Sequence, residues 1–172
     1  MWKVNPFPYL YPMEEKFTHL NDKGQPSMVD VGQKPATHRK AIARSIVVMD
    51  EKIIAQLEAD HFINPKKGPV FHTAILAGIM AAKKTAELIP LCHPMGLDDW
   101  QVEININEAK EIVIDCSATV FAKTGVEMEA MMGASVAALT IYDMCKAFSH
   151  DIVIKETKLM AKSGGKRDFE RK

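Results

Sequence analysis

Hydrophobic and polar residues alternate along residues 39–49. Ile42, Ile46 and Val48 share one parity in this segment, and Arg44 is the exception. A period of two places successive side chains on opposite faces, as in a strand with one buried face. Because β-branched residues crowd the end of the segment, we predict a strand here.

The same alternation recurs in three later segments. Residues 100–106 and 112–121 alternate on either side of the polar stretch 107–110, and this pattern predicts a hairpin. Residues 151–160 predict a last strand. A Ser-Gly-Gly sequence at 163–165 should end it in a flexible loop.

Three other segments have features typical of helices. Asp50 can cap a short helix that extends to about residue 59. Prolines and a glycine within residues 65–69 then predict a loop. Residues 70–88 are rich in alanine and methionine at helical spacing and predict a buried helix. Thr124 and Glu127 have the spacing of a capping box, which predicts a third helix from there to about residue 149.

The predicted element order is β-α-α-β-β-α-β. This order indicates an α+β sandwich in which helices pack on one face of an antiparallel sheet, and a ferredoxin-like core fits it. We expect a single domain over residues 17–172. Residues 1–16 form an N-terminal extension in which prolines interrupt aromatic residues, so a regular helix or central strand is disfavoured. The extension either docks on a subunit surface or is disordered.

Composition excludes several classes of protein. The 22 basic and 22 acidic residues cancel, which argues against a nucleic-acid-binding chain. The apolar runs are shorter than a membrane span, and prolines break the N-terminal apolar residues where a secretory signal would need them continuous. Three cysteines, an odd number in apolar surroundings, are typical of reduced thiols in a cytoplasmic protein.

Asp143 and Lys146 lie three residues apart on the last predicted helix, so their side chains share a face. The helix around them is almost entirely apolar. An exposed ion pair would contribute only about 0.3–0.5 kcal/mol, whereas charges on a buried helix are costly unless they are matched or used. We therefore favour a catalytic acid–base pair.

A loop bounded by two prolines, residues 90–94, contains Cys92 and His93. The imidazole can donate or accept a proton near neutral pH, although a single histidine is more often a helix-end cap. Cys92 could be a zinc ligand or a nucleophile. Neither a Cys-x-x-Cys pair nor a neighbouring base supports those roles.

Two acidic residues, Glu127 and Glu129, stand where the last helix is predicted to begin. The helix dipole would stabilise them there, but two carboxylates can also accept hydrogen bonds from the N–H edge of a purine-derived base, and we favour this interpretation. Phosphate can be bound by the ammonium groups of Lys66 and Lys67. The Lys-Ser-Gly-Gly-Lys sequence at 162–166 adds two more lysines and a backbone that glycine leaves accessible to an anion. The spacing of a P-loop is absent. Together these residues indicate a phosphorylated substrate.

Five segments in combination resemble one protein family, the cyclic pyranopterin monophosphate synthases, or molybdenum-cofactor biosynthesis protein C family. The segments are residues 28–31, 88–94, 123–130, 134–147 and 159–166. The resemblance runs in order from residue 17 onward, and its specificity comes from the combination rather than from any single segment.

The resemblance implies a phosphorus–oxygen lyase of molybdenum cofactor (molybdopterin) biosynthesis. Its substrate would be (8S)-3′,8-cyclo-7,8-dihydroguanosine 5′-triphosphate, supplied by an upstream radical enzyme, and its products cyclic pyranopterin monophosphate and pyrophosphate. A ferredoxin-like fold and a homohexamer, built as a trimer of dimers with sites at subunit interfaces, are also implied. We expect a cytoplasmic enzyme without a required cofactor, metal site, nucleic acid or membrane partner, although Mg²⁺ can accompany the triphosphate.

Without the resemblance, the residue patterns also fit two other functions. A non-catalytic oligomeric nucleotide-binding module of the same fold would bind the substrate without converting it. A metal-binding regulator would use Cys92, His93 and Cys145 as ligands. Pyrophosphate release separates the enzyme from the module, and elemental analysis for zinc tests the regulator.

Residue by residue, the resemblance implies particular roles for named side chains. The catalytic set that it implies is Asp143, Lys146 and Lys67. The substrate-binding set that it implies is Leu91, Cys92, His93, Glu127, Met128, Glu129, Lys162 and Arg39. The chain departs from the family pattern at Pro69, at Ile75 and in a shortened glycine-rich end, which affects the surroundings of Lys67 and the contacts of the tail.

Overall fold

The computed structural model describes residues 19–21, 23–60 and 62–171. The predicted extension at residues 1–16 lies outside these ranges. The elements in chain order are β1 (Thr37–Val48), α1 (Glu51–Ala59), β2 (Ile63–Asn64), β3 (Gly68–Pro69), α2 (Val70–Lys83), α3 (Thr85–Leu88), β4 (Asp99–Ile106), β5 (Ile112–Ala122), α4 (Glu127–Cys145), β6 (Val153–Ser163) and β7 (Phe169–Glu170). Within these ranges, every helix is too short or too polar to cross a membrane.

Five antiparallel strands form the main sheet, in the order β4-β5-β1-β6-β7. Strand β1 is central and pairs with β5 on one side and β6 on the other. With α2 crossing from β1 to β4, and α4 from β5 to β6, this order gives the βαββαβ arrangement of a ferredoxin-like fold. The predicted α+β class is therefore confirmed. Strands β2 and β3 form a separate two-stranded ribbon.

The core lies between one face of the sheet and α4. Alternate residues of β1, such as Ala43 and Val47, are fully buried, as are Ile114 and Cys116 of β5. Helix α4 packs on β1, β5 and β6 through small residues such as Ala134, which let its backbone approach the sheet closely. In β1 the fully buried face carries the smaller residues, whereas Ile42, Ile46 and Val48, the parity singled out in the sequence, lie on the half-buried face.

Helix α2 packs mainly on α4 and on the edge strand β4. The two helices approach closely at Gly78 and Gly133. A Cβ atom on Gly78 would lie 3.0 Å from the carbonyl oxygen of Gly133, and a Cβ on Gly133 would overlap the ring of Trp100. The Trp100 ring therefore fills the space that the two glycines leave.

The helix predicted over residues 70–88 is two helices in the structure, because the chain tightens at Lys84. The Lys84 amide donates to Ala81 O at 3.0 Å, a contact three residues back instead of four. The Thr85 hydroxyl donates to Ala82 O at 2.9 Å and so takes an acceptor that continuing helix would use. The prediction of one continuous helix was wrong at this point.

The predicted capping box at Thr124 and Glu127 does not form. Helix α4 begins at Glu127, and its N-cap is Val126, whose side chain makes no capping hydrogen bond. The Glu127 carboxylate instead accepts from Lys162 Nζ at 2.9 Å. A charge-assisted bond to a neighbouring strand has thus replaced the local reciprocal bond that the sequence spacing suggested.

Candidate functional site

Asp143 lies between two ammonium groups near the end of α4. Lys67 Nζ is 2.8 Å from Asp143 Oδ2, and Lys146 Nζ is 2.7 Å from Asp143 Oδ1. Lys67 Nζ also donates to the Asp143 carbonyl oxygen at 2.6 Å. We call Lys67, Asp143 and Lys146 the lysine–aspartate cluster, and it brings together the three residues predicted to be catalytic.

The cluster fixes the charge of its members. Hydrogen bonds from Lys146 and then Lys67 lower the pKa of Asp143 to about 2. The Asp143 carboxylate raises the pKa of Lys146. At neutral pH the aspartate is therefore ionised and Lys146 is a cation. The two side chains are 55% and 52% exposed, so the expected burial of these charges is not met within one chain.

Lys67 reaches the cluster from the turn between β2 and β3. Gly68 follows it at φ +87°, in the left-handed region that favours glycine. Asn64, at the start of the turn, accepts hydrogen bonds from the amides of Lys66 and Lys67 and donates to Met144 O. Asn64 was not singled out in the sequence, where it is only a polar residue before a proline.

The same contacts explain where α4 ends. The carbonyl oxygens of Asp143 and Met144 accept from Lys67 Nζ and Asn64 Nδ2, so they are taken by side chains instead of by the amides of a further turn. The Phe148 amide donates to Cys145 O, three residues back, at 2.8 Å. Helix α4 therefore stops at Cys145, four residues before the predicted end.

A cavity of about 530 Å³ lies at the other end of α4. We call it the N-terminal pocket. All of the residues predicted to bind substrate line it: Arg39, Leu91, Cys92, His93, Glu127, Met128, Glu129 and Lys162. Sequence reasoning did not assign these further lining residues: His19, Val29, Val31, Lys34, Lys40 and Met95. Most of them precede or begin β1, and only the match of residues 28–31 to the family pattern could have indicated them.

Hydrogen bonds hold two of the polar lining residues in place. His93 Nε2 is 2.9 Å from the carbonyl oxygen of Val29. Because a carbonyl can only accept, Nε2 carries the proton, and Nδ1 of neutral His93 is an acceptor. Lys162 Nζ donates to Glu127 Oε1 at 2.9 Å, so this ammonium is already paired with a carboxylate before any anion binds.

A glycine turn brings further cations to the pocket. Gly164 has φ +80°, and a Cβ atom there would overlap the carbonyl oxygen of His38 on β1. The Thr37 hydroxyl donates to Gly164 O at 2.8 Å. The turn is therefore pressed against β1. This contact brings Lys162 and Lys166 into the lining of the pocket, which also includes Arg39.

Glu129 and Cys92 both have perturbed acidities in this pocket. Glu129 is only 4% exposed; burial raises its pKa, and the charge of Glu127 raises it further. Burial raises the pKa of the Cys92 thiol as well, followed by the charge of Glu129. A protonated thiol is a poor nucleophile, which agrees with a binding role for Cys92. Across residues 19–21, 23–60 and 62–171, no three His, Cys, Asp or Glu side chains converge as a metal site.

The lysine–aspartate cluster and the N-terminal pocket are separated along α4. Asp143 follows Glu129 by 14 residues, which corresponds to about 21 Å of helix. The residues that line the pocket do not include Lys67, Asp143 or Lys146. One chain therefore presents the two predicted residue sets at opposite ends of one helix.

Comparison with known proteins identifies the family of this chain. The sequence matches the MoaC family over residues 28–165. It is 50% identical over 154 residues to "Cyclic pyranopterin monophosphate synthase" of Xanthomonas campestris, covering 90% of this chain and 93% of that protein. It is 52% identical over 156 residues to "Molybdenum cofactor biosynthesis bifunctional protein" of Synechocystis, covering 88% of this chain and 45% of that longer protein.

A relative from an animal shows the same partial coverage. "Molybdenum cofactor biosynthesis protein 1" of Drosophila melanogaster is 49% identical over 157 residues, covering 91% of this chain and 27% of that protein. The match therefore occurs both with a protein of similar length and within much longer ones. On these matches, and on the fold and residue sets described above, the chain belongs to the MoaC family.

Proposed function

We propose that this protein is a cyclic pyranopterin monophosphate synthase. It converts (8S)-3′,8-cyclo-7,8-dihydroguanosine 5′-triphosphate into cyclic pyranopterin monophosphate and pyrophosphate, a step of molybdenum cofactor biosynthesis. The observation that carries this proposal is Asp143 held between two lysines in a chain 50% identical to a relative of that name.

The charges of the lysine–aspartate cluster suggest how it acts. Asp143 raises the pKa of Lys146 and so keeps it protonated, which lets Lys146 meet the substrate as a hydrogen-bonding cation. Lys67 contacts the same carboxylate from the opposite oxygen. When substrate approaches, Asp143 can orient one ammonium while the other exchanges protons with the rearranging purine-derived ring.

The N-terminal pocket suits the rest of the substrate. Glu127 and Glu129 can accept hydrogen bonds from the N–H edge of the base, and His93 can contact the base or sugar. Lys162 and Arg39 can neutralise the triphosphate. In the closing step a ribose hydroxyl loses its proton and bonds to the α-phosphorus, while pyrophosphate leaves with the electron pair of the P–O bond that breaks.

The separation of the two sites supports an oligomer. About 21 Å of helix is too long for one nucleotide to contact both ends of α4 in one chain, so we propose that a second copy places its cluster beside the pocket of the first. Exposed apolar side chains on α2 and α4, including Leu76, Met80 and Leu139, offer surface for such contacts. The proposed assembly is a homohexamer built as a trimer of dimers.

The remaining parts of the proposal concern metals, supply and location. It assigns no resident cofactor to the chain; Mg²⁺ would arrive bound to the triphosphate. A radical enzyme acting upstream would supply the cyclised nucleotide. We place the protein in the cytoplasm, in line with the free thiols of Cys92, Cys116 and Cys145.

Two variants test the assignment of the cluster. Asp143→Asn and Lys146→Ala should each lower kcat by about 10²–10⁴-fold, the usual contribution of a positioned acid–base group. Lys155→Ala is the matched control, because Lys155 is 53% exposed and 2.7 Å from Glu111 in a similar ion pair. It should leave kcat unchanged. The assay is pyrophosphate release from the cyclised nucleotide by the purified protein.

Two results would contradict the proposal. Near-normal turnover in both Asp143→Asn and Lys146→Ala would show that the cluster is not catalytic. Nucleotide binding by the unmodified protein without pyrophosphate release would support the non-catalytic module instead.

A further inference from the structure

Asn64 is a polar side chain buried where the turn between β2 and β3 meets the end of α4. Only 4% of the residue is exposed. A buried carboxamide is costly unless its donor and its acceptor are both hydrogen-bonded. Nδ2 donates to Met144 O at 2.7 Å, and Oδ1 accepts from the amides of Lys66 and Lys67 at 2.8 and 3.1 Å. Both ends of the carboxamide are therefore used, and they bind different parts of the fold.

The acceptor end of the carboxamide shapes the turn. Asn64 pairs with Gly68 across the β2–β3 ribbon, and the Oδ1 hydrogen bonds draw the intervening backbone inward. The Lys67 amide also donates to the Asn64 carbonyl oxygen at 3.2 Å. These contacts fix the backbone from which the Lys67 side chain extends.

The donor end of the carboxamide fixes the turn against the helix. The last four carbonyl groups of an α-helix have no partner inside the helix. Met144 O receives the Asn64 amide, and the neighbouring Asp143 O receives Lys67 Nζ at 2.6 Å. Two consecutive carbonyls are thus capped by two side chains of one turn. The same alignment places Lys67 Nζ 2.8 Å from Asp143 Oδ2.

We propose that Asn64 is a positioning residue for the reaction, holding Lys67 against Asp143 without contacting the substrate. This inference rests on the proposed function, since it affects turnover only if the lysine–aspartate cluster takes part. A lysine side chain is long and has many rotamers. Without a fixed backbone and a fixed helix end, its ammonium group would spend much less time beside the carboxylate.

Two variants separate the two ends of the carboxamide. Asn64→Ala removes both. Asn64→Asp keeps an acceptor for the turn amides but removes the donor to Met144 O. The control is Asn107→Ala, because Asn107 closes the turn between β4 and β5 in a comparable way. Its Oδ1 accepts from the Glu111 amide at 2.8 Å, and its Nδ2 donates to the Glu111 carboxylate at 3.0 Å.

Steady-state kinetics should show a selective loss of kcat. We expect both Asn64 variants to lose about 10–100-fold in kcat, the scale of a displacement of about 1 Å in a catalytic group. KM should change by less than about threefold, because the nucleotide is bound elsewhere. Asn107→Ala should match the unmodified protein. An unchanged kcat in Asn64→Asp, or a change confined to KM, would overturn the inference.

A double-mutant cycle tests whether Asn64 acts through Lys67. On a Lys67→Ala background, Asn64→Ala should cause little further loss of kcat, because the group that it positions is already gone. Losses that multiply independently would show that Asn64 affects turnover by another route.

A second measurement does not depend on turnover. Asp143 owes its low pKa partly to Lys67, so displacing Lys67 should raise the pKa of that carboxyl group. Carbon NMR of the Asp143 carboxyl, followed from about pH 6 to about pH 4, should show the onset of titration in Asn64→Ala but not in Asn107→Ala. An unchanged Asp143 resonance in folded Asn64→Ala overturns the positioning role, even if the protein proves to have a different activity.

Discussion

Replacing Gly164 with alanine tests how the glycine turn is held against β1. Two separate features of Gly164 oppose a side chain. Its φ of +80° lies in the left-handed region, which costs an ordinary residue about 1–2 kcal/mol. A Cβ atom would also overlap the carbonyl oxygen of His38, and this backbone atom belongs to the central strand and cannot move aside.

Two other glycines allow the two costs to be measured separately. Among the described residues, no atom beyond the adjacent residues lies within 4 Å of the Cβ position at Gly24, which has φ +72°, or at Gly96, which has no positive φ. Gly24→Ala should therefore lose only the backbone cost, about 1–2 kcal/mol. Gly96→Ala should be neutral or stabilising by up to about 1 kcal/mol, because alanine restricts the unfolded chain.

Gly164→Ala should lose more than either control variant. Overpacking adds about 1–3 kcal/mol to the backbone cost, so the expected loss in free energy of unfolding is about 2–5 kcal/mol. Urea denaturation at one fixed protein concentration measures all three variants. A loss in Gly164→Ala within about 0.5 kcal/mol of that in Gly24→Ala would refute the contact with His38.

The same variant should also weaken substrate binding. Displacing the turn moves Lys162 and Lys166 away from Arg39 in the N-terminal pocket. A hydrogen bond to a charged group contributes about 1.5–3 kcal/mol, so KM should rise by about 10-fold or more where the variant remains folded. An unchanged KM would show that these lysines do not contact the substrate.

Two further predictions concern the pocket and its partner copy. Glu129→Gln should raise the melting temperature at pH 7 but not at pH 4. Burial raises the pKa of Glu129 in the folded state. The buried carboxyl group therefore costs no stability below its unfolded pKa, and it destabilises the fold as pH rises through its folded pKa. Thermal melts in which Glu129→Gln changes the melting temperature equally at both pH values would contradict the raised pKa of Glu129. Co-expressed Glu129→Gln and Asp143→Asn chains, each inactive alone, should recover about a quarter of wild-type pyrophosphate release if one copy supplies the cluster and another the pocket. Persistent inactivity of a mixed oligomer would place both sets in one chain.

The strand pattern and the fold class could be predicted from the sequence. Alternation in β1, β4 and β5 is a local property of each segment and so predicts the strands, although in β1 the fully buried face carries Ala43 and Val47 instead of the isoleucines. Strand β6 was predicted two residues too early at its start and three too early at its end, since pairing with β1 carries it on to Ser163. The short strands β2, β3 and β7 were not predicted, because two residues are too few to show a period.

The ends of α4 could not be predicted from the sequence because distant residues determine them. Glu127 bonds to Lys162, 35 residues away, instead of closing a capping box. At the other end, Asn64 donates a hydrogen bond to Met144 O and Lys67 donates one to Asp143 O. These acceptors lie about 80 residues further along the chain. Local spacing carries no record of such contacts.

By itself, the sequence determined the family, the α+β class and the residue types available for chemistry. Tertiary structure alone decided their grouping. Folding collects the predicted binding residues around one cavity, closes Lys67 onto Asp143, and separates the two groups by the length of α4. The physical reason is that a helix is rigid along its axis, so residues on its first and last turns cannot meet within one chain, however close their roles.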